Sequence, residues 1–293
     1  MTLNITSGEY SYNSLKSKFN GIFIPFNEAM IDGETHQNIF SKDFIQIRSN
    51  HHNVTTNEYI DKLYELNKIE FINSFKEIVL WFGLDTFCQI NMLTILAYLD
   101  QINYIGKVSF IGIDDYTNDI VKEKEVIEIK DFNKIYTDVL INNQIKYSNY
   151  SYINHAIDKY FEIISGTDEV SNFIKNNCQM SYEELMNKSL NISISLGLSD
   201  TIINKIINKY KYSFFELYYK NELVGKIVFD LGNNIINYKV HNSNLDIFEF
   251  LKVDISEDIK NIPFLESRIS YLIKNNLSEL AYQTDYYLLK RIN

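Results

Sequence analysis

Three short polar segments interrupt an otherwise apolar first third of the chain, and each carries groups able to hold a ligand or move a proton. The first is Thr6-Ser7-Gly8-Glu9. A glycine just ahead of a helix lets the backbone approach a ligand closely, and free N–H groups there suit an anion. Glu9 would repel a phosphate, however, and one glycine makes neither a dinucleotide fingerprint nor a phosphate loop. The competing reading is a tight strand-to-helix turn with Ser7 as its cap. The second segment is Asn27-Glu28-Ala29-Met30-Ile31-Asp32-Gly33-Glu34, with three carboxylates in seven residues. These suit a hard cation or acid–base work, or equally a hydrated loop around a glycine turn. The third is Gly83-Leu84-Asp85, followed by Cys88, Gln89 and Asn91. Asp85 is placed to cap a helix and to face a crevice. Gln89 lies one turn beyond, on the same side, where it can join Asp85 on a polar ligand. Cys88 has no histidine in its motif to activate the thiol, so it reads as a core residue.

The other reactive side chains point to less. Of five histidines, the His51-His52 pair stands in a polar stretch near Arg48, with no third ligand fixed by spacing, and reads as a surface loop. Cys88 and Cys178 are the only two cysteines and form no CxxC, so no metal site is expected. Serine-hydrolase, kinase, zincin and Walker motifs are all missing, and no motif names a cofactor.

The elements that must position these segments follow from hydrophobic pattern. Leu3–Thr6 and Gly21–Pro25 read as strands, with a helix over Tyr10–Phe19 between them, and Pro25 stops the second strand. Thr55-x-x-Glu58 has the form of a capping box opening a helix over 56–71. Glu77–Phe82 and Lys107–Ile113 are continuous apolar runs of strand length, as in the centre of a parallel sheet. Thr86–Gln101 lies between them as a helix with Cys88, Met92, Ile95, Leu96 and Leu99 on one face. Strand and helix alternating at these lengths predict a Rossmann-like α/β domain over residues 1–145.

The remainder, 146–293, predicts an α+β domain. Signals from Asn149 to Tyr210 are helical, with Asp200 as a cap, and Phe214–Tyr219, Leu223–Phe229 and Ile235–Val240 form a small antiparallel meander. A helix over Phe264–Asn276 follows, and the tail Leu280–Ile292 reads as a strand or a last helix.

Composition narrows the partners. The 293 residues carry 28 Lys and Arg against 38 Asp and Glu, a net −10, and the Lys residues alternate with acids as in Lys122-Glu123-Lys124-Glu125, which reads as a solvated loop or helix face. With no basic stripe, a nucleic-acid partner is disfavoured, including one bound through a winged-helix-like C-terminus. With 22 Tyr and 19 Phe but only 10 Gly and 2 Pro, disordered and fibrous classes are excluded. No eighteen-residue apolar window and no signal-peptide pattern occur, so a cytoplasmic chain without a membrane partner is expected.

The polar segments and their strands resemble the bacterial domain-of-unknown-function 1835 family over about residues 1 to 115. Glu77-Ile78-Val79-Leu80-Trp81-Phe82-Gly83-Leu84-Asp85-Thr86-Phe87-Cys88-Gln89 is similar to its pattern of a strand ending in Leu-Trp-Phe, then Asp, Cys-Gln and a Leu-rich helix. Ser7-Gly8-Glu9 is similar to the family's Asn-Gly-Asp turn, with both outer residues changed. Phe23–Gly33 resembles a segment that usually carries Trp-Arg before the Glu; here Phe26-Asn27 stand there, so a basic group is missing. Arg48 is similar to a later family arginine. Phe264-Leu265-Glu266-Ser267-Arg268-Ile269 looks like the end of a companion C-terminal domain. The resemblance implies the α/β fold and these polar positions, and brings no activity with it.

Two readings follow. In one, Ser7, Gly8, Glu9, Asn27, Glu28, Arg48, Asp85 and Gln89 surround a polar cleft that binds or processes a small polar molecule, with Glu9, Glu28 or Asp85 as base. In the other, the chain is a non-catalytic interaction protein whose Tyr-rich strands, with Tyr218, Tyr219 and Tyr238, meet a protein partner.

Overall fold

The computed structural model describes residues 1–62, 71–233, 235–240, 265–282 and 287–292. Two compact units result, one of Met1–Asp168 with Ser193–Leu198, the other of Glu169–Ile192 with Ser199–Asn293.

The first unit is built on strands β1 (Thr2–Thr6), β2 (Ile22–Pro25), β3 (Glu77–Phe82), β4 (Lys107–Ile113) and β5 (Ile120–Ile127), in the order β2-β1-β3-β4-β5. The first four are parallel, with Thr6 level with both Pro25 and Trp81. β3 lies in the middle, and its residues from Ile78 to Phe82 are all buried, which is why this run shows no polar alternation. Helices are α1 (Glu9–Leu15), α2 (Lys42–His51), α3 (Thr56–Lys62), α4 (Thr86–Gln101), α5 (Phe132–Tyr136) and α6 (Ser151–Ser165). Leu15 and Tyr12 of α1 pack with Phe23, Val79, Trp81, Ile111 and Ile113 into one core. α4 packs against both α5 and α6, which accounts for the burial of twelve of its sixteen residues. The α/β architecture expected from the pattern is present, with a mostly parallel sheet and helices.

Details differ where tertiary contacts override local signals. α1 stops at Leu15 rather than running to Phe19, because Phe19 leaves the helix and lies 4.6 Å from the Trp81 ring. The capping box at α3 forms as expected: Thr55 N–H donates to Glu58 at 2.7 Å, and Glu58 N–H donates to the Thr55 hydroxyl at 3.2 Å. The helix expected over 56–71 is described to Lys62, and 63–70 lie outside the described residues. Lys122-Glu123-Lys124-Glu125 is no loop or helix face but the centre of β5, an antiparallel edge strand. The β-branched residues at both its ends favour a strand, and the turn from β4 is too short for a parallel crossover. Its alternating charges, with the register shifts opposite Phe110–Ile113, guard the edge against further pairing.

The second unit carries α7 (Glu169–Asn176), α8 (Tyr182–Ile192) and α9 (Asp200–Lys211). An antiparallel sheet follows, of β6 (Tyr212–Tyr219), β7 (Glu222–Asp230), β8 (Ile235–Val240), β9 (Glu279–Tyr282) and β10 (Tyr287–Arg291), in the order β8-β7-β6-β10-β9. The tail is thus a hairpin of two strands, which closes the meander into a five-stranded sheet. Helix α10 (Leu265–Lys274) lays Leu265, Ile269 and Leu272 on Phe215, Leu217, Ile227 and Leu289. Ser199, not Asp200, caps α9, accepting the Ile202 N–H at 3.3 Å. In the Tyr-rich strand, the Tyr218 hydroxyl donates to Glu216 at 2.6 Å, and Tyr219 packs 4.8 Å from the Tyr287 ring. No helix among the described residues is long and apolar enough to cross a membrane.

Candidate functional site

Strand order determines where a ligand fits. The connection leaving β1 returns on one side of it as β2, and β3 lies on its other side, so the order reverses between β1 and β3. In open α/β sheets that reversal opens a crevice beyond the carboxyl ends of the two strands. Its edges are the turn Ser7–Glu9 after β1 and the turn Gly83–Asp85 after β3, and the β4–β5 turn, Asp114–Asp119, adjoins it. The Ser7 N–H donates to Trp81 O at 3.0 Å, and the Tyr10 hydroxyl donates to Tyr116 O at 2.6 Å, tying the turns together.

The chemical centre is a pair of carboxyl groups, Asp85 and Asp115. Asp85 caps α4: its Oδ1 accepts the Cys88 N–H at 3.0 Å. Its Oδ2 is shut off from solvent and receives no N–H or hydroxyl hydrogen bond. Asp115 lies beside it, close enough for the two carboxyl groups to act on each other. The Cys88 thiol donates to Asp115 Oδ1 at 3.4 Å. Burial first, and then the neighbouring Asp85 carboxylate, push the Asp115 carboxyl up to about 8. The largest influences on it are burial, Asp85, Cys88 and Asp114. Burial, and after it the charges of Asp85 and Asp115, hold the Cys88 thiol well above its usual range, so it works as a hydrogen-bond donor and not as a nucleophile. The donor atoms of Asp85, Cys88 and Asp115 lie within 4.8 Å of one another. A cation bridging these atoms would replace the thiol and carboxyl protons.

Glycine makes this approach possible. A methyl on Gly83 would overlap the Asp115 carboxylate, and one on Gly197 would overlap Asp85 Oδ1. Gly83→Ala is therefore expected to drive Asp115 off Asp85 at a cost of about 1–2 kcal/mol. A carboxyl-13C titration of the variant should show the raised Asp titration falling back toward the ordinary range; an unmoved titration would refute the close packing as its cause.

The residues singled out from sequence fall into three places. Ser7, Gly8, Glu9 and Asn27 meet at one rim: the Glu9 N–H donates to Asn27 Oδ1 at 3.1 Å, and Asn27 Nδ2 donates to Glu9 Oε1 at 3.4 Å. Ser7 is not a cap, since Gly8 takes that position and the Ser7 hydroxyl lies 3.4 Å from that of Ser11. Asp85 stands at the facing turn with Asp115. Gln89 does not reach a ligand position: it is fully buried, and its Nε2 donates to Gly83 O at 2.5 Å, fixing the turn that carries Asp85.

Glu28 and Arg48 form the third place, a buried anchor. Both side chains are fully buried, with Arg48 Nη2 2.7 Å from Glu28 Oε1. Oε1 also accepts the Ala29 N–H and meets His52 Nε2, each at 2.7 Å, and Oε2 accepts the Tyr59 hydroxyl. Burial pushes the Glu28 carboxyl up, but His52, Arg48 and Tyr59 together hold it well below the usual carboxylate range. Arg48 also donates to the carbonyls of Ala29, Asp32 and Glu34 at 3.1, 2.8 and 3.1 Å. The 27–34 segment is thereby clamped in place, and Asn91 of α4 secures it from the other side, donating to Glu28 O at 2.6 Å and accepting the Met30 N–H at 2.9 Å. The His51-His52 pair is not a surface loop. It ends α2, with His51 3.3 Å from Asp32 and His52 on Glu28. A buried carboxylate with these four partners serves to position the loop.

Two residues escaped the sequence reading. Asp115 stands at a recognisable strand end, which is the one signal that could have found it. Tyr59 carries no local mark, because its partner lies 31 positions away. No family model, curated protein or solved structure matches the chain.

Proposed function

We propose that the chain binds a small polar molecule in the crevice between the carboxyl ends of β1 and β3 and exchanges a proton with it through Asp85 and Asp115. The observation that carries this reading is the convergence of two carboxyl groups from adjacent strand ends, close enough for each to act on the other. Near neutral pH such a pair holds one proton, so one carboxyl can donate while the other accepts, the arrangement that acid–base catalysis uses. The Cys88 thiol donates to Asp115, and the Cys88 N–H in the first turn of α4 donates to Asp85, so each carboxyl is held in place. The exposed rings of Tyr10 and Tyr116 stand at the rim, and Glu9 and Asn27 offer further polar contacts. The two carboxyl groups, with Glu9 at the rim, favour a neutral or cationic ligand over a phosphate. Two free cysteines suit a reducing compartment, which supports a cytoplasmic location.

Thermal unfolding of the full chain beside nucleosides, amino acids, amines and sugar phosphates tests the reading. A ligand present at a hundred times its dissociation constant adds about 2.7 kcal/mol of stability. The gain is expected from a neutral or amine-bearing compound and should disappear in Asp85→Asn, whose amide oxygen still caps α4. Equal stabilisation of the variant would place the ligand elsewhere.

A further inference from the structure

Beside the carboxyl pair, the crevice of the first unit carries a bridging ring and an unused amide. The bridging ring is Tyr10. It follows β1, its hydroxyl donates to Tyr116 O beyond β4 at 2.6 Å, and β3 lies between those two strands. The side chain therefore reaches across the carboxyl end of β3, where the Gly83–Asp85 turn begins. Even so, Tyr10 is 61% exposed and Tyr116 69%. Fixed at its hydroxyl, the Tyr10 ring offers a flat face to a flat ligand at little further loss of freedom.

The unused amide is Asn118, in the same turn as Asp115. It is only 5% exposed although Thr117 and Asp119 on either side are exposed, so its side chain turns inward. Among the described residues, neither its Oδ1 nor its Nδ2 has a hydrogen-bond partner. The turn closes without this amide. The Asn118 N–H donates to Asp114 O at 2.8 Å, the Asp114 N–H donates to Asp119 O at 2.9 Å, and Asp114 Oδ1 accepts the Tyr116 and Thr117 N–H groups. Its φ of +58° suits asparagine and glycine alike. A buried amide without partners weakens the fold, a loss that a ligand pairing with it makes good.

We propose that the crevice takes a planar base of the aminopyrimidine type, with its basic edge on Asp85 and Asp115, its carbonyl on the Asn118 amide and its face on Tyr10. The inference rests on the carboxyl pair of the proposed function and names the class of molecule that the pair serves. A carboxylic acid beside a carboxylate presents a donor next to acceptors, and the matching edge is a basic ring nitrogen next to an amino group. On contact the acid O–H bond breaks, and its proton passes to the lone pair of the ring nitrogen, which gains an N–H bond. The ring is then a cation between two carboxylates, and no other reactant is needed. A sugar has hydroxyls but no basic edge. An alkylamine has the charge, but no face for Tyr10 and no acceptor for Asn118 Nδ2.

Calorimetric titration of the full chain at neutral pH with cytosine, uracil and cyclohexylamine tests the inference. Cytosine carries an amino group, a basic nitrogen and a carbonyl in a row. Uracil keeps the plane but replaces the basic edge with a carbonyl and an N–H, and cyclohexylamine keeps the charge without the plane. Cytosine is expected to bind at least about tenfold more tightly than either. Asn118→Gly, which suits the same backbone, and Tyr10→Leu, which removes the ring, should each weaken cytosine about tenfold. Asn118→Gly should leave the thermal midpoint no lower, because an unpaired amide has no bond to lose; a lowered midpoint would show that the amide serves the fold instead. Cytosine binding that is absent, or unchanged in both variants, would overturn the inference. An amine that binds as tightly as cytosine and is lost in Asp85→Asn would sink the inference and leave the proposed function standing. Cytosine binding undiminished in Asp85→Asn would defeat both.

Discussion

Arg48→Met is expected to cost the chain about 3–5 kcal/mol, because it leaves the Glu28 carboxylate buried with its cation gone. Both side chains are wholly enclosed, so water cannot take over, and the same change removes three donors to the carbonyls of the 27–34 segment. Urea denaturation at pH 7 should show the loss as a lowered midpoint at nearly unchanged slope. The double variant Glu28→Gln with Arg48→Met should recover much of it, since the amide oxygen still accepts while no charge is stranded. A loss below about 1 kcal/mol would mean that the pair is not enclosed as described. Acid sensitivity follows with a definite sign. The folded Glu28 carboxyl sits below its unfolded value of about 4.5, so its contribution is complete above that pH and is lost as pH falls below it. In the double variant this acid-side slope should flatten.

Asp115→Asn is expected to act in the opposite direction, stabilising the chain by several kcal/mol at pH 8 and by little near pH 4. The folded chain keeps the Asp115 proton up to about 8, whereas the unfolded chain releases it near 3.8. Between those values the folded state binds the extra proton, so its stability falls as pH rises through the window. Asparagine presents a permanent donor to Asp85 Oδ2 and carries no charge to repel it. The variant should therefore be more stable and unable to exchange a proton, the usual trade between a relaxed site and a working one. Stability curves of wild type and variant that run parallel from pH 4 to 8 would show that Asp115 is ionised throughout.

How far the fold could be read beforehand depended on whether the deciding contacts were local. β3 and α4 were legible because their burial on all sides leaves unbroken apolar runs, and the cap at Asp85 because Gly-Leu-Asp announces a turn into a helix. The α3 capping box is likewise a contact between residues three apart. β5 was obscured by charges that belong to an exposed edge, where polarity no longer separates strand from loop. The roles of Glu28 and Arg48 were hidden because their partners gather from α2, α3 and the β2–α2 segment. A Glu in an acidic stretch looks the same in sequence whether water or an arginine faces it. The carboxyl pair is the least local feature of all. It depends on Gly83 lacking a side chain, on Asp115 arriving from the next strand, and on Gly197 returning from far along the chain.

The most direct test is a carboxyl-13C NMR titration of the full chain labelled at aspartate, run beside Asp115→Asn. One resonance titrating near 8, and missing from the variant, is the expected result and places a proton on the pair at neutral pH. If every aspartate instead titrates below about 5, both carboxyls are charged at neutral pH, and the proton-exchanging site does not exist.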